Sequence, residues 1–309
     1  MQDSRVDLFT PFVPGIVQTT RLRGGSKKGV YRLTLDSGTT LIAYRWDAAE
    51  DYWPAATPGD GPFDHASALD LFLAAHHRLT TLGVRCPRLL DVFPDAHVAL
   101  VEDLPGGTLE ALMETDPARA DPARAEPALA RLRETLAKLH ADHRPEPGRL
   151  TRPTALTCPE TVLTRALDDL TEAAARDPRM RAAHDSLRTR LHTLTTAVRP
   201  RTDHRLIHGE LGPDHVLLDS QGEPALIDIE GLMYFDVEWE HVFLRLRFGD
   251  RYGSLEVEGL DGGRMELYTL AMRLSLVAGP LRLLDGDFPD RETMRGIAEH
   301  NLREALRWA

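Results

Sequence analysis

The stretch that most constrains this chain is Ile207-His208-Gly209-Glu210-Leu211-Gly212-Pro213-Asp214-His215-Val216-Leu217-Leu218-Asp219. After Ser220-Gln221-Gly222-Glu223-Pro224 it continues into Ala225-Leu226-Ile227-Asp228-Ile229-Glu230-Gly231. Two short apolar runs separated by a Gly- and Pro-containing segment read as a hairpin with a loop on either side. A hairpin returns the chain to where it began. A first loop carrying a proton acceptor and a metal ligand can thereby share one metal with an acidic residue on the second loop.

Composition narrows what such a site can serve. At 309 residues, 42% of them hydrophobic, the chain can bury one or two ordinary cores. A net charge of −11 argues against a nucleic-acid binder, which needs basic surface to neutralise phosphates. It would suit a cationic acceptor, although acidic surfaces are common without one. Cys86 and Cys158 have no ligand spacing around them, which speaks against a disulfide scaffold or a structural zinc site. Asp3, Arg5 and Asp7 break up the apolar residues of the first fifteen positions, unlike a signal peptide, and no apolar run approaches membrane-spanning length. The expectation is a soluble, cytoplasmic protein with no membrane partner.

Along the chain, residues 16–22, 30–35 and 40–46 have strand character, with turns at Arg23-Gly24-Gly25-Ser26-Lys27-Lys28-Gly29 and Asp36-Ser37-Gly38. Leu69, Phe72, Leu73, His76, Leu79 and Leu82 follow helical spacing, and Gly83 is the natural stop. Two more strands are expected at 89–93 and 98–104, before a Pro-Gly-Gly break. Helices dominate from Leu109 onward, through 129–139, 163–170, 187–198, 267–277 and 294–308. Asp116-Pro117-Ala118-Arg119 and Asp121-Pro122-Ala123-Arg124 read as an irregular exposed connection.

The 207–231 stretch resembles the aminoglycoside phosphotransferase family, whose loop reads roughly H-G-D-x-x-x-x-N before an I-D-x-x segment. Glu210 stands where the family has its catalytic Asp, and His215 where it has its metal-binding Asn. The strings 100–109, through Glu102-Asp103-Leu104-Pro105-Gly106-Gly107, and Leu136-Ala137-Lys138-Leu139-His140-Ala141 are similar to its hinge and central helix. The resemblance covers nearly the whole chain. It implies an α+β, protein-kinase-like two-lobed fold, with a β-rich nucleotide-binding lobe over 1–104 and a hinge at 102–105. A mainly helical lobe over 106–309 then carries the catalytic loop 207–219 and the metal segment 226–231. It also implies ATP (or GTP) with Mg²⁺, and transfer of the γ-phosphate to a hydroxyl.

Phosphoryl transfer depends on charge neutralisation and positioning, and the resemblance distributes these roles. Gly24, Gly25, Ser26 and Gly29 would approach the phosphates, with Lys27 and Lys28 adding positive charge, although hairpins also use glycine for steric reasons alone. Arg45, at the fourth position of Ile42-Ala43-Tyr44-Arg45, matches the lysine of protein kinases and would pair the α- and β-phosphates, with Asp70 as its acidic partner; alternatively it is an outward strand residue. Glu102 and Leu104 would offer backbone groups to the adenine. His208 would brace the loop, and Glu210 would accept the acceptor's proton, with Asp214 as the alternative carboxylate. Asp228 would be the main metal ligand, helped by Glu230. His215 would hydrogen-bond in place of the second metal's Asn ligand, or ligate Mn²⁺, since imidazole suits softer ions than Mg²⁺. Asp236 and Glu240 fall where the family has two aspartates, the second anchoring the catalytic loop. Glu238, Glu256, Glu258 and Asp261 lie where they could line a cationic acceptor's pocket.

Three readings follow. The first is a kinase of a hydroxylated small molecule, such as an aminoglycoside-like antibiotic or a metabolite. The second is a peptide Ser/Thr kinase of natural-product maturation. The third is a pseudokinase that binds nucleotide or a partner without catalysis. The carboxylate kept at position 210 favours activity.

Overall fold

In the segment 29–35 the side chains of Tyr31 and Leu33 are buried while Arg32 between them is exposed, the period-two pattern of a strand with one face on a core. The computed structural model describes residues 6–22, 25–54, 61–63, 67–114 and 121–309. In chain order its elements are α1 (Val6–Phe9), β1 (Ile16–Arg21), β2 (Gly29–Leu35), β3 (Thr40–Arg45), α2 (Leu69–Thr81), β4 (Leu89–Phe93), β5 (Val98–Glu102), α3 (Leu109–Leu112) and α4 (Pro122–Ala141). There follow β6 (His143–Arg144), β7 (Gly148–Arg149), α5 (Cys158–Arg176), α6 (Pro178–Ala197), β8 (His204–Ile207), β9 (Val216–Leu218), β10 (Pro224–Leu226), β11 (Met233–Phe235), α7 (Val237–Phe248), α8 (Gly262–Leu283) and α9 (Arg291–Leu306). The fold is α+β.

The chain forms two units. The first comprises Met1–Tyr52, Ala66–Arg131 and Asp214–Glu230. Its five-stranded antiparallel sheet has the order β1-β2-β3-β5-β4. Interior strand β5 is buried along Val98-Ala99-Leu100-Val101, whereas edge strand β1 leaves Val17 exposed. Phe9, Val13, Tyr31, Leu33, Leu41, Ala43, Val98 and Leu100 make the core on one face. Tyr44 and Trp46 pack with Phe72 of α2, with ring centroids 5.5 Å from Phe72 in both cases. α2 buries Leu69, Phe72, Ala75 and Leu79 at helical spacing and ends before Gly83, as its sequence predicts.

The division differs from a cut at 104–106. The hairpin β9–β10 groups with the first unit because its backbone is bonded there. Gly106 donates to the Leu218 carbonyl at 3.0 Å, Leu218 donates to Gly107 at 2.9 Å, and Leu226 donates to Arg85 at 2.9 Å. A Cβ at Gly106 would stand 2.3 Å from the Leu218 oxygen. The Pro-Gly-Gly break is thus a backbone docking strip as well as a turn.

The second unit comprises Trp53–His65, Leu132–Pro213 and Gly231–Ala309. Helices α5, α6, α8 and α9 surround a core that includes Val162, Leu170, Leu187, Leu191, Phe235, Trp239, Leu267, Tyr268 and Leu302. Caps set the helix starts: Thr157 and Glu160 form a reciprocal box at α5, Asp177 caps α6 and Asp261 caps α8. A four-stranded sheet in the order β6-β8-β11-β7 interrupts what the sequence presents as mainly helical. The connection expected to be irregular is partly helix: Asp121 accepts the Arg124 N–H at 3.2 Å and Pro122 opens α4. Asp116-Pro117-Ala118-Arg119 lies outside the described residues. Cys86 and Cys158 are buried free thiols. Among the described residues, no helix is long and apolar enough to cross a membrane.

Candidate active site

The residues singled out from the sequence fall in both units, and each group is described within its own. In the first unit the hairpin closes on itself. Ile227 donates to the His215 carbonyl at 3.0 Å, so the residue entering β9 and the residue leaving β10 lie side by side. At its turn the Asp219 carboxylate accepts the N–H groups of Gln221 and Glu223 at 2.8 and 2.9 Å. The Asp228 backbone is left-handed, with φ +58°, an uncommon conformation for a residue with a Cβ. Its carboxylate is 49% exposed, while that of Glu230 is 6% exposed. His215 Nε2 lies 3.9 Å from Asp228 and 3.7 Å from Asp214.

The cation on these carboxylates is Lys28. Its ammonium is 2.7 Å from Asp228 and 2.5 Å from Glu230, and 5.4 Å from the centre of the Tyr44 ring. Burial works against its charge, but Asp228 and then Glu230 outweigh that and hold it above the ordinary lysine pKa. Glu230 Oε1 also receives the Ser67 hydroxyl at 3.4 Å, and Ser67 in turn receives the Trp46 indole N–H at 2.9 Å. Glu230 Oε2 is buried and has no hydrogen-bond partner among the described residues.

Arg45 has a different setting. It pairs with Asp47 at 2.6 Å and approaches Glu50 at 3.9 Å, while Asp70 stands exposed in the first turn of α2. Arg45 is the last residue of β3 and is partly exposed, next to the buried Tyr44. Glu50 is further held by Arg21 at 2.8 Å and by the Tyr31 hydroxyl. Of the glycine turn, Gly24 lies outside the described residues. A Cβ on Gly25 would meet the Lys28 carbonyl at 2.3 Å, so the tight turn itself requires glycine there. Ser26 accepts the Tyr52 N–H at 2.9 Å, and Lys27 is partly buried. In the expected hinge Leu104 is buried, and the Glu102 carboxylate is taken up by Arg88 at 2.8 Å and Arg85 at 3.4 Å.

In the second unit, His208 is buried and Glu210 exposed. Glu240 Oε2 accepts the Gly209 N–H at 2.7 Å, and the Trp239 indole donates to the Gly209 carbonyl at 3.2 Å. Burial raises the Glu240 pKa to about 7, opposed by the backbone N–H groups of Gly209 and His208. Asp236 is fully buried beneath Arg264 at 2.8 Å and the Tyr268 hydroxyl at 2.5 Å. Glu238 is buried against Arg201 at 2.8 Å and Asp261 caps α8, so these two carboxylates have structural partners, while Glu256 and Glu258 are exposed. His140 is partly buried beside the buried His241, with ring centroids 5.8 Å apart. Cys158, His204 and Asp236 bring possible ligand atoms within 4.8 Å of one another. Asp236 is already paired with Arg264, and His204 donates through Nδ1 to the Pro145 carbonyl at 2.7 Å, so a cation would be repelled by the guanidinium.

An antiparallel five-stranded sheet, a largely helical second unit and an acidic hairpin held by a buried lysine are the components of a protein-kinase-like fold. A sequence model of the phosphotransferase enzyme family (APH) matches residues 18–268, and the chain belongs to that family. No curated protein matches the sequence significantly. Among solved structures, the chain is similar to the apo form of a thermostable mutant of aminoglycoside phosphotransferase APH(4)-Ia. The identity there is 15%, over 96% of this chain and 98% of that one, with a TM-score of 0.63. It is similar to choline kinase LicA from Streptococcus pneumoniae at 13% identity, over 98% and 96% of the two chains, with a TM-score of 0.63. A putative fructosamine-3-kinase from Thermobifida fusca is 21% identical over 98% and 99%, with a TM-score of 0.54. At such identities the likeness is one of fold.

Proposed function

We propose that this protein transfers the γ-phosphate of ATP, or of GTP, to a hydroxyl of a small molecule, with Mg²⁺ or Mn²⁺ as the metal. The observation that carries this reading is the acidic pair Asp228 and Glu230 at the exit of the hairpin. With Lys28 the group sums to one negative charge, and the buried Glu230 Oε2 has no hydrogen-bond partner among the described residues. A buried carboxylate oxygen without a donor is costly unless a cation or donor joins it. Oxygen donors of this kind suit a hard divalent ion. Asp228 and Glu230 would hold it, and when bound it would neutralise charge on the phosphoryl group being transferred.

Glu210 is the carboxylate we assign to the acceptor's proton. Glu240 and Trp239 grip both backbone groups of the preceding Gly209, so a longer catalytic side chain comes with a longer anchor. A small-molecule acceptor is favoured by the similar structures, among them an APH(4)-Ia ternary complex with ADP and hygromycin B and a choline kinase. The test is to incubate the protein with ATP and Mg²⁺ against a panel of aminoglycosides, amino alcohols and sugars. Acceptor mass and ADP release are then followed. An acceptor that gains one phosphoryl group per ADP formed supports the reading; ADP formed at the same rate with and without every acceptor contradicts it.

A further inference from the structure

Thirty-four arginines and only three lysines make up the cations of this chain. Two of the three, Lys27 and Lys28, are adjacent in the glycine turn; the third is Lys138. Among the described residues arginine makes most of the ion pairs elsewhere, including those of Arg21 and Arg45 with Glu50 and of Arg264 with Asp236. A compact ammonium therefore stands at the end of a tight glycine turn, with its side chain 8% exposed. Such a group costs several kcal/mol to bury unless opposite charges compensate, and here two carboxylates do.

We propose that Lys28, on the residue leading into β2, is the cation that receives the α- and β-phosphates of the nucleotide, in place of a cation on β3. The inference rests on the nucleotide reading above and assigns the residue that serves it. Three observations support the assignment. On β3 the buried position facing Lys28 is Tyr44, whose ring carries no charge to offer a phosphate. The neighbouring Arg45 is committed to Asp47 and Glu50. And Lys28 already sits on Asp228, the carboxylate assigned to the metal, at the end of the same turn whose Gly25 and Ser26 backbone would approach the phosphates. With Asp228 holding a metal, the Lys28 ammonium would be released from that carboxylate and could donate to phosphate oxygens. The ion pair then serves as a holding position for Lys28.

Binding of ATP and of adenosine, both in Mg²⁺, by the full chain separates phosphate contacts from base contacts. Wild type should prefer ATP. Lys28→Met should weaken ATP by about ten- to a hundredfold, the range for losing a charge-assisted hydrogen bond, and leave adenosine within about threefold. Arg45→Met should keep the preference. Adding Tyr44→Lys to Lys28→Met returns an ammonium from β3 and should restore much of it. An ATP preference that survives Lys28→Met, or is lost in Arg45→Met, overturns the assignment while leaving the kinase reading intact. Equal binding of ATP and adenosine by wild type overturns both.

A second measurement needs no variant to fold. An acyl-phosphate derivative of ATP acylates the amine nearest its phosphates: the amine attacks the acyl carbon, its proton goes to solvent, and ATP leaves. Peptide mass spectrometry should find the label on Lys28, suppressed by excess ATP. Label confined to Lys27 or Lys138 contradicts the proposal.

Discussion

Glu240 accepts the backbone N–H of Gly209 at 2.7 Å through one carboxylate oxygen, while its other oxygen is buried with no hydrogen-bond partner among the described residues. A carboxylate so enclosed prefers to be neutral, and its pKa rises from the ordinary 4.5 to about 7. The group binds its proton more tightly folded than unfolded. Its contribution is therefore fully present below about pH 4.5 and is lost as pH rises through about 7. Glu240→Gln cannot titrate, so its stability relative to wild type should climb by up to about 3 kcal/mol between roughly pH 5 and 8. Urea melts across that range test this; a pH-independent difference would contradict it.

His140 and His241 respond in the opposite sense. Burial, reinforced for His140 by His241 and Arg205, lowers their pKa values to about 3 and about 4 from 6.5. Stability from keeping them neutral is present above pH 6.5 and is lost as pH falls toward 4 and then 3. His241→Asn should flatten the acid limb of the stability curve by up to about 3 kcal/mol. Curves for variant and wild type that run parallel down to pH 4 would show that His241 does not set this limb.

The two glycines after Pro105 should fail differently. Gly107 has φ +77° and open space where a Cβ would go, so Gly107→Ala pays only for backbone strain, about 1 kcal/mol. At Gly106 an added Cβ meets backbone oxygens of Leu218 and Asp219 at 2.3 and 2.6 Å, and the hairpin must shift. Gly106→Ala should cost about 3 kcal/mol or more. Chemical denaturation of the two variants compares them directly; equal losses would mean the strip along the hairpin gives way easily.

Much of this was legible in the sequence because it is periodic. Leu69, Phe72 and Leu79 announce α2, and the paired apolar runs at 216–218 and 224–226 announce the hairpin that forms. Helix α7 was not announced, because Glu238, Trp239, Glu240, His241, Val242, Phe243 and Leu244 are all buried and no polar face marks a period. The strands of the second unit are two to four residues long, too short for alternation to register. The role of Lys28 was hidden for another reason. Next to Lys27 it reads as one of two turn cations, and the carboxylate that distinguishes it lies 200 residues away.

The choice between Glu210 and Asp214 as proton acceptor is open to a paired substitution. Glu210→Gln should slow phosphoryl transfer by about a hundred- to ten-thousandfold, the usual contribution of a general base, with nucleotide affinity nearly unchanged. Asp214→Asn should retain most of the rate. Steady-state kinetics with the acceptor found in screening decides it, and the reverse pattern would move the role to Asp214.

The most direct test of the central claim is the melting temperature of wild type and Asp228→Asn, titrated with ATP in Mg²⁺, in Mn²⁺ and in chelator. A ligand that binds the native state alone stabilises it by about 3 kcal/mol at a hundred times its Kd. The account predicts a rise that needs the metal and disappears in Asp228→Asn. A rise that persists in chelator and in the variant, or none under any condition, would contradict a metal-nucleotide site built on Asp228.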